Sequence, residues 1–380
     1  MEARRIPVKA WPVLGIALMQ VFLLGAHWFL FRTWMAFWGP MTLAATMELR
    51  VALILLGFSF IAAALCGFYF SNGPVRLLYW VAAVWLGMLN FLFWAACLCR
   101  IVDLALRLTP LVVHLPWLRP RLVVTLGLAA VLVSLYGMIN ARWVRLRRQT
   151  VHLDRLPESW RGRSALLLSD LHLGNMNGIA FSRRIAALAE RLQPDVILIP
   201  GDLFDGAKAD PDHLLQPLRQ LDPPYGIFFS SGNHDEFGGE EHYTAALKRA
   251  GIHVLHNERA IVDGLQIVGV GYADTTHPLR MRMFLESLKL SDGAASILLN
   301  HVPNRLPIVE GAGVSLQLSG HTHGGQLFPF TWITRRAFGR FTYGLQRFGA
   351  LQVYTSTGCG AWGPPMRVGS HAEAVMIELR

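Results

Sequence analysis

The first 150 residues are nearly devoid of acidic side chains. They hold 3 Asp/Glu against 14 Lys/Arg, whereas residues 151–380 hold 22 against 21. The formal net charge of +10 therefore belongs to the N-terminal part alone. A nucleic-acid binder carries its Lys and Arg on the folded domain that makes the contacts, so this placement argues against that class and no nucleic-acid partner is expected. Cysteine is scarce as well. Cys66, Cys97 and Cys99 lie inside apolar runs and Cys359 stands alone. That pattern fits neither a disulfide framework nor a zinc knuckle.

Charge is missing altogether from four stretches, 12–31, 51–70, 77–99 and 122–140. Each reaches the roughly 20 apolar residues that cross a bilayer as a helix. The first follows Arg4, Arg5 and Lys9 but has no small-residue cleavage site after it, so it reads as an uncleaved anchor. His27 and Asn90 are the polar side chains in these stretches with chemical potential. A lone His or Asn in a span reads as a hydrogen bonder between helices, whereas transport calls for buried charge or broken helices. Residues 1–141 are thus expected to form an all-α transmembrane domain of four helices, with membrane lipids as partners, and 142–163 a basic linker.

Counting Arg and Lys puts the N-terminus and the segment with Arg142, Arg145, Arg147 and Arg148 on the cytoplasmic side. Arg100, Arg107, Arg119 and Arg121 oppose that count. The run Ile101–Trp117 between them reads as lying along the interface.

From Ser164 short apolar runs alternate with amphipathic segments, the pattern of an α/β domain. Residues 165–168, 196–199, 227–229, 297–299 and 316–318 read as buried strands; 179–192, 211–221, 240–250 and 278–288 have helical spacing. Directly after the strands come five polar clusters: Ser169-Asp170-Leu171-His172, Gly201-Asp202, Gly232-Asn233-His234-Asp235, Asn300-His301 and Gly320-His321-Thr322-His323. Singly, each could be a helix cap or a turn. Together they place carboxylates, imidazoles and an amide at strand ends, where open α/β sheets build sites. Such a set suits divalent manganese, iron or zinc, and its lack of thiolates argues against structural zinc.

These clusters resemble, in order and over residues 164–380, the calcineurin-like metallophosphoesterases, with their D-x-H, G-D, G-N-H-D/E, H and G-H-x-H elements. The longer form Gly320–Gln326, with Cys359-Gly360 and Pro365-x-Arg367 downstream, is similar to the YkuE/YaeI-type, membrane-associated bacterial branch. Where that branch usually has Pro-Glu, this chain has Ala372-Glu373. The branch also resembles pyrophosphatases that cleave UDP-2,3-diacylglucosamine.

The resemblance implies two packed β-sheets flanked by helices. The bacterial branch makes the inner membrane the expected home of the multi-pass chain, while the Arg and Lys count puts its catalytic domain on the cytoplasmic side. Two divalent ions, manganese first and iron or zinc as alternatives, would be held by Asp170, His172 and His323 on one side and Asn233, His301 and His321 on the other, with Asp202 bridging. His234 would act on the substrate, Asp235 would orient its ring, and Asp205 would be a turn residue or a support behind the ligands rather than a ligand. The implied reaction is hydrolysis of a phosphodiester, phosphomonoester or pyrophosphate.

Between 328 and 348, seven aromatics interleave with Arg335, Arg336, Arg340 and Arg347. The segment reads either as an aromatic hairpin with a solvated basic face or as a lid taking an acyl chain and a phosphate of a lipid-linked substrate. The rival reading of the whole chain is a catalytically silent membrane scaffold, whose mark would be lost metal ligands.

Overall fold

The computed structural model describes residues 10–108, 117–237, 239–290 and 293–380. It divides into two compact units, one of residues up to 67 with 73–136, the other of 137–380 with 68–72. Four helices, α1 (Ala10–Trp38), α2 (Leu43–Tyr69), α3 (Gly73–Arg107) and α4 (Leu118–Arg142), contain the four charge-free stretches except for Phe70, which lies just beyond α2. All four are long and apolar enough to cross a membrane. Their polar groups pair between helices: Trp85 Nε1 donates to His27 Nε2 at 2.9 Å, and Gln20 Nε2 to the Gly57 carbonyl at 2.9 Å. His27 is thus a packing hydrogen bonder. Arg107 and Arg119 both donate to Asp103, at 2.9 and 2.7 Å, so two arginines that upset the charge count share an acid. Residues 101–107 of the segment read as interfacial continue α3; its residues 109–116, like Arg4, Arg5 and Lys9, lie outside the described residues.

The second unit carries strands β1 (Arg145–Val151), β2 (Ser164–Leu167), β3 (Val196–Ile199), β4 (Ile227–Phe229), β5 (Ile252–Val254), β6 (Glu258–Val262), β7 (Leu265–Gly269), β8 (Ser296–Leu299), β9 (Leu316–Ser319), β10 (Gly344–Phe348), β11 (Leu351–Thr355) and β12 (Glu373–Leu379). They form two six-stranded sheets, ordered β1-β12-β2-β3-β4-β5 and β10-β11-β9-β8-β7-β6. Alternation along each strand explains the layering. Ala165, Leu167, Val196 and Leu198 of one sheet share a core with Ile297, Leu299, Leu316 and Leu318 of the other. Leu166, Ile197 and Ile199 face away and pack beneath helices Ile179–Leu192 and Glu240–Arg249. Leu298 and Val353 do the same beneath Pro278–Ser287 and Leu306–Gly311. Burial on both faces is why the central strands read as unbroken apolar runs. The result is the expected pair of sheets flanked by helices. Strands β2 to β5 run parallel, as do β7, β8, β9 and β11, so each sheet gathers its carboxyl ends along one edge.

Three expectations need correcting. The segment read as a linker contains β1, whose seven residues pair in parallel with β12; its charged residues are tolerated because it is an edge strand with its first four side chains exposed. The 211–221 helix stops at Leu215 and resumes only as a single 3-10 turn, Leu218–Gln220, after Pro217, a residue that blocks helix continuation. The 328–348 segment is not a hairpin throughout, since Phe330–Phe338 is helical and only β10 pairs with β11.

Candidate metal centre

The polar loops after β2, β3, β4, β8 and β9 converge at one edge. Five of the seven candidate ligands hold left-handed backbone: Asp170 (φ 52°), His172 (48°), Asp202 (50°), His321 (67°) and His323 (49°). Each such residue costs about 1–3 kcal/mol, and such strain persists only where surroundings over-determine it. Here the sharp turn off each strand end is what brings the side chains inward. Close approach also fixes the glycines of the motifs. A Cβ on Gly320 would lie 2.0 Å from Ser169 Oγ and 2.1 Å from Asp170 Oδ2, and one on Gly232 would lie 2.2 Å from Asp202 Oδ1.

Two trios of ligand atoms result, Asp170/His172/His323 and Asp202/His301/His321, with a third, His172/Asp202/His234, between them; within each, the atoms lie within 4.8 Å of one another. In the first, His323 Nε2 is 3.3 Å from Asp170 Oδ1 and 3.1 Å from His172 Nε2. In the second, His301 Nε2 is 3.1 Å from Asp202 Oδ2, and Asn233 Oδ1 lies 3.0 Å from His321 Nδ1. Asp202 Oδ2 also stands 3.8 Å from His172 Nε2, so this carboxylate faces both trios.

The donor set fits a divalent cation. Burial pushes the His172 and His321 imidazoles down to about 3 and 4, and holds His323 well below its usual range. Imidazoles kept neutral present lone pairs, which is the form that ligates. Buried His301 Nε2 has no hydrogen-bond partner, and its nearest anion is Asp202. Burial opposes charge on both members of that pair. Even so, the His301 imidazole is pushed up to about 9 and the Asp202 carboxyl is held below the usual carboxylate range, because each stabilises the other's charge.

His234 sits beside the trios with its ring centroid 4.8 Å from that of His172. Its backbone N–H donates to Asp202 Oδ1 at 2.9 Å, and its Nδ1 lies 3.1 Å from the Asp205 carbonyl oxygen. The expectation that Asp235 orients this ring is therefore corrected. The Asp235 carboxylate instead accepts from three backbone N–H groups, those of Asp202 (2.7 Å), Gly232 (2.8 Å) and Phe204 (2.9 Å), and so clamps the loop that presents Asp202. Asp205 is a turn residue, accepting from the Asn175 and Ala207 N–H groups. Arg335 and Arg336 are exposed, while Arg340 donates to the Arg347 carbonyl and stacks over Phe341. Among the described residues none of the three touches a candidate ligand.

Two further residues belong to the site. Arg367 is wholly buried. It donates to the carbonyls of His323 (3.2 Å), His371 (3.0 Å), Thr357 (2.7 Å) and Gly360 (2.5 Å), with Nη2 3.2 Å from His323 Nδ1. The Pro-x-Arg motif was its only signal in the sequence. Trp362 has its ring 5.3 Å from that of His234, and Gln326 holds its loop through the Trp362 and Pro364 carbonyls. Trp362 itself belongs to no motif element, lying between Cys359-Gly360 and Pro365-x-Arg367.

Residues 164–325 match the calcineurin-like phosphoesterase family. Over 274 residues the chain is 34% identical to a transmembrane protein with metallophosphoesterase domain from Danio rerio, covering 68% of this chain and 62% of that protein. The chain thus spans less than two thirds of that relative's length. It is 31% identical over 257 residues to an uncharacterized metallophosphoesterase of Aquifex aeolicus, 66% of this chain and 97% of the relative. It is 27% identical over 261 residues to the uncharacterized metallophosphoesterase YkuE of Bacillus subtilis, with 64% and 87% covered. With four helices fit to cross a membrane and clustered His and Asp ligands of the kind that binds divalent metal, the chain belongs to the calcineurin-like phosphoesterase family.

Proposed function

We propose that the chain hydrolyses phosphoester bonds at a centre of two divalent ions, manganese first, with a lipid-linked phosphate as the preferred substrate and the catalytic unit on the cytoplasmic face. The observation that carries the two-ion reading is Asp202, one carboxylate facing both trios. Bound there, two ions supply a water acidified towards neutral pH and positive charge for the phosphoryl oxygens.

The chain's own residues do the rest. Asp202 fixes the spacing of the trios, and the Asp235 clamp fixes Asp202. With Nδ1 donating to the Asp205 carbonyl, His234 keeps Nε2 for the phosphoryl oxygen or the leaving alkoxide. General acid catalysis of this kind contributes about 10²- to 10⁴-fold. A silent scaffold would be marked by a lost ligand, and all seven positions are kept.

Purified full-length protein, loaded with manganese and assayed on a chromogenic phosphodiester, tests the reading. Asp202→Ala is expected to lose both metal and turnover. His234→Ala is expected to retain metal while turnover falls about 10²- to 10⁴-fold. Undiminished turnover in either variant sinks the assignment.

A further inference from the structure

We propose that helix Phe330–Phe338 is a membrane-surface anchor that rests the catalytic unit on phospholipid headgroups beside the metal centre. The proposal stands on the reading of the four long helices as spans, and does not depend on hydrolysis.

The helix touches its own unit on one side only. Thr331, Thr334 and Phe338 are partly buried, while Phe330, Trp332 and Ile333 are 50%, 67% and 49% exposed. Phe330 and Ile333 share a face by their i, i+3 spacing, and exposed Arg335 and Arg336 lie on the same short helix. In water such a face is a cost, at about 25 cal/mol for each Å² of apolar surface left wet. Exposed aromatic and aliphatic side chains interspersed with arginines suit the boundary between headgroups and acyl chains.

Its place in the unit points to the same partner. The Phe328 N–H, just before the helix, donates to the Val368 carbonyl at 3.1 Å. The neighbouring Arg367 N–H donates to the Gly137 carbonyl at 2.9 Å, and Asn140 Nδ2 donates to the carbonyls of Arg367 and Ser370, both at 2.9 Å. Gly137 and Asn140, on the last turns of α4, belong to this same unit, and the loop that bonds them is also bonded to the start of this helix. Directly beyond α4, Trp143 is 66% exposed with the Arg145 guanidinium 5.4 Å over its ring. Exposed Trp beside Arg at the end of a span marks the headgroup level. At the helix's other end the Phe338 ring lies 6.2 Å from that of His321. A surface met by this helix is therefore next to a candidate ligand, where an amphiphile's phosphate would arrive.

The test uses the full chain in nanodiscs of phosphatidylcholine and phosphatidylglycerol, with Trp332→Cys and Ile333→Cys as separate variants. A membrane-impermeant maleimide reads their exposure, and the unsubstituted chain gives the background from its native cysteines. Leu279→Cys is the control, 68% exposed on helix Pro278–Ser287. Both test positions are expected to react about tenfold more slowly than the control, because a docked apolar face sits ~5–10 Å into the headgroup boundary. Reaction at the control's rate in both variants overturns the proposal, whatever the enzyme's activity.

Discussion

Replacing Arg367 probes how the metal loop is held. The guanidinium is out of water and its bonds run to five backbone carbonyls from three segments, at 323, 357–360 and 371. Arg367→Ala leaves those carbonyls without a donor. Each unsatisfied group costs about 1–3 kcal/mol, and removal of the desolvated charge offsets part of the sum, so a net loss of about 3–5 kcal/mol is expected, the scale for breaking a buried charged cluster. For a unit of this size that lowers Tm by about 10 °C. His323 also loses the group facing its Nδ1, and loss of a residue that orients a ligand typically weakens metal binding about 10- to 100-fold. Differential scanning calorimetry of the detergent-solubilised chain reads the first effect, and manganese titration against a chelator the second. Arg367→Lys keeps the charge but not the fork, and should fall between. A Tm within about 2 °C of the parent, well below the expected shift, together with unchanged manganese affinity would refute the reasoning.

Other expectations follow from the same geometry. Gly320→Ala drives a methyl into Ser169 and Asp170, so the purified variant should lose metal content and turnover; full loading would show that the loop can move aside. Asp235→Asn weakens the clamp on the Asp202 loop, lowering Tm and metal affinity; an unchanged Tm and metal affinity would refute the clamp. Burial opposes the His301 charge, yet Asp202 raises that imidazole to about 9. An incoming ion must therefore displace a proton, and apparent manganese affinity should rise about tenfold per pH unit between 6.5 and 8.5, whereas affinity flat across that range contradicts the pairing. Trp362→Ala should reduce kcat/KM while leaving metal content intact, as measured by turnover beside elemental analysis.

The strands legible in the sequence are those sealed on both faces. Ala165–Leu168 and Val196–Ile199 sit between a second sheet and a helical layer, so they carry no polar alternation to confuse the reading. Arg145–Val151 and Glu258–Val262 are edge strands with exposed side chains, and their charged sequences gave no strand signal. The ligands were readable because each follows its strand within a few residues. Asp235 was misassigned because adjacency in sequence suggested its neighbour's ring, whereas its partners at Asp202 and Phe204 come from another strand end. Arg367 stood in the sequence only as the end of a Pro-x-Arg motif with no role attached, since its burial depends on loops that meet only in the folded unit.

The short passage from α4 into β1 bears on how the catalytic part can be isolated. Only Trp143 and Val144 separate the helix from a strand that pairs along its whole length with β12. A truncated chain starting at Ser164, where the family match begins, would discard that strand and leave the backbone groups of β12 bare, inviting association between copies. It would also remove Asn140 and Gly137, which hold the Arg367 loop. A soluble fragment that folds should therefore start before Gly137, with the apolar side chains of α4's end, Ile139 among them, replaced by polar ones.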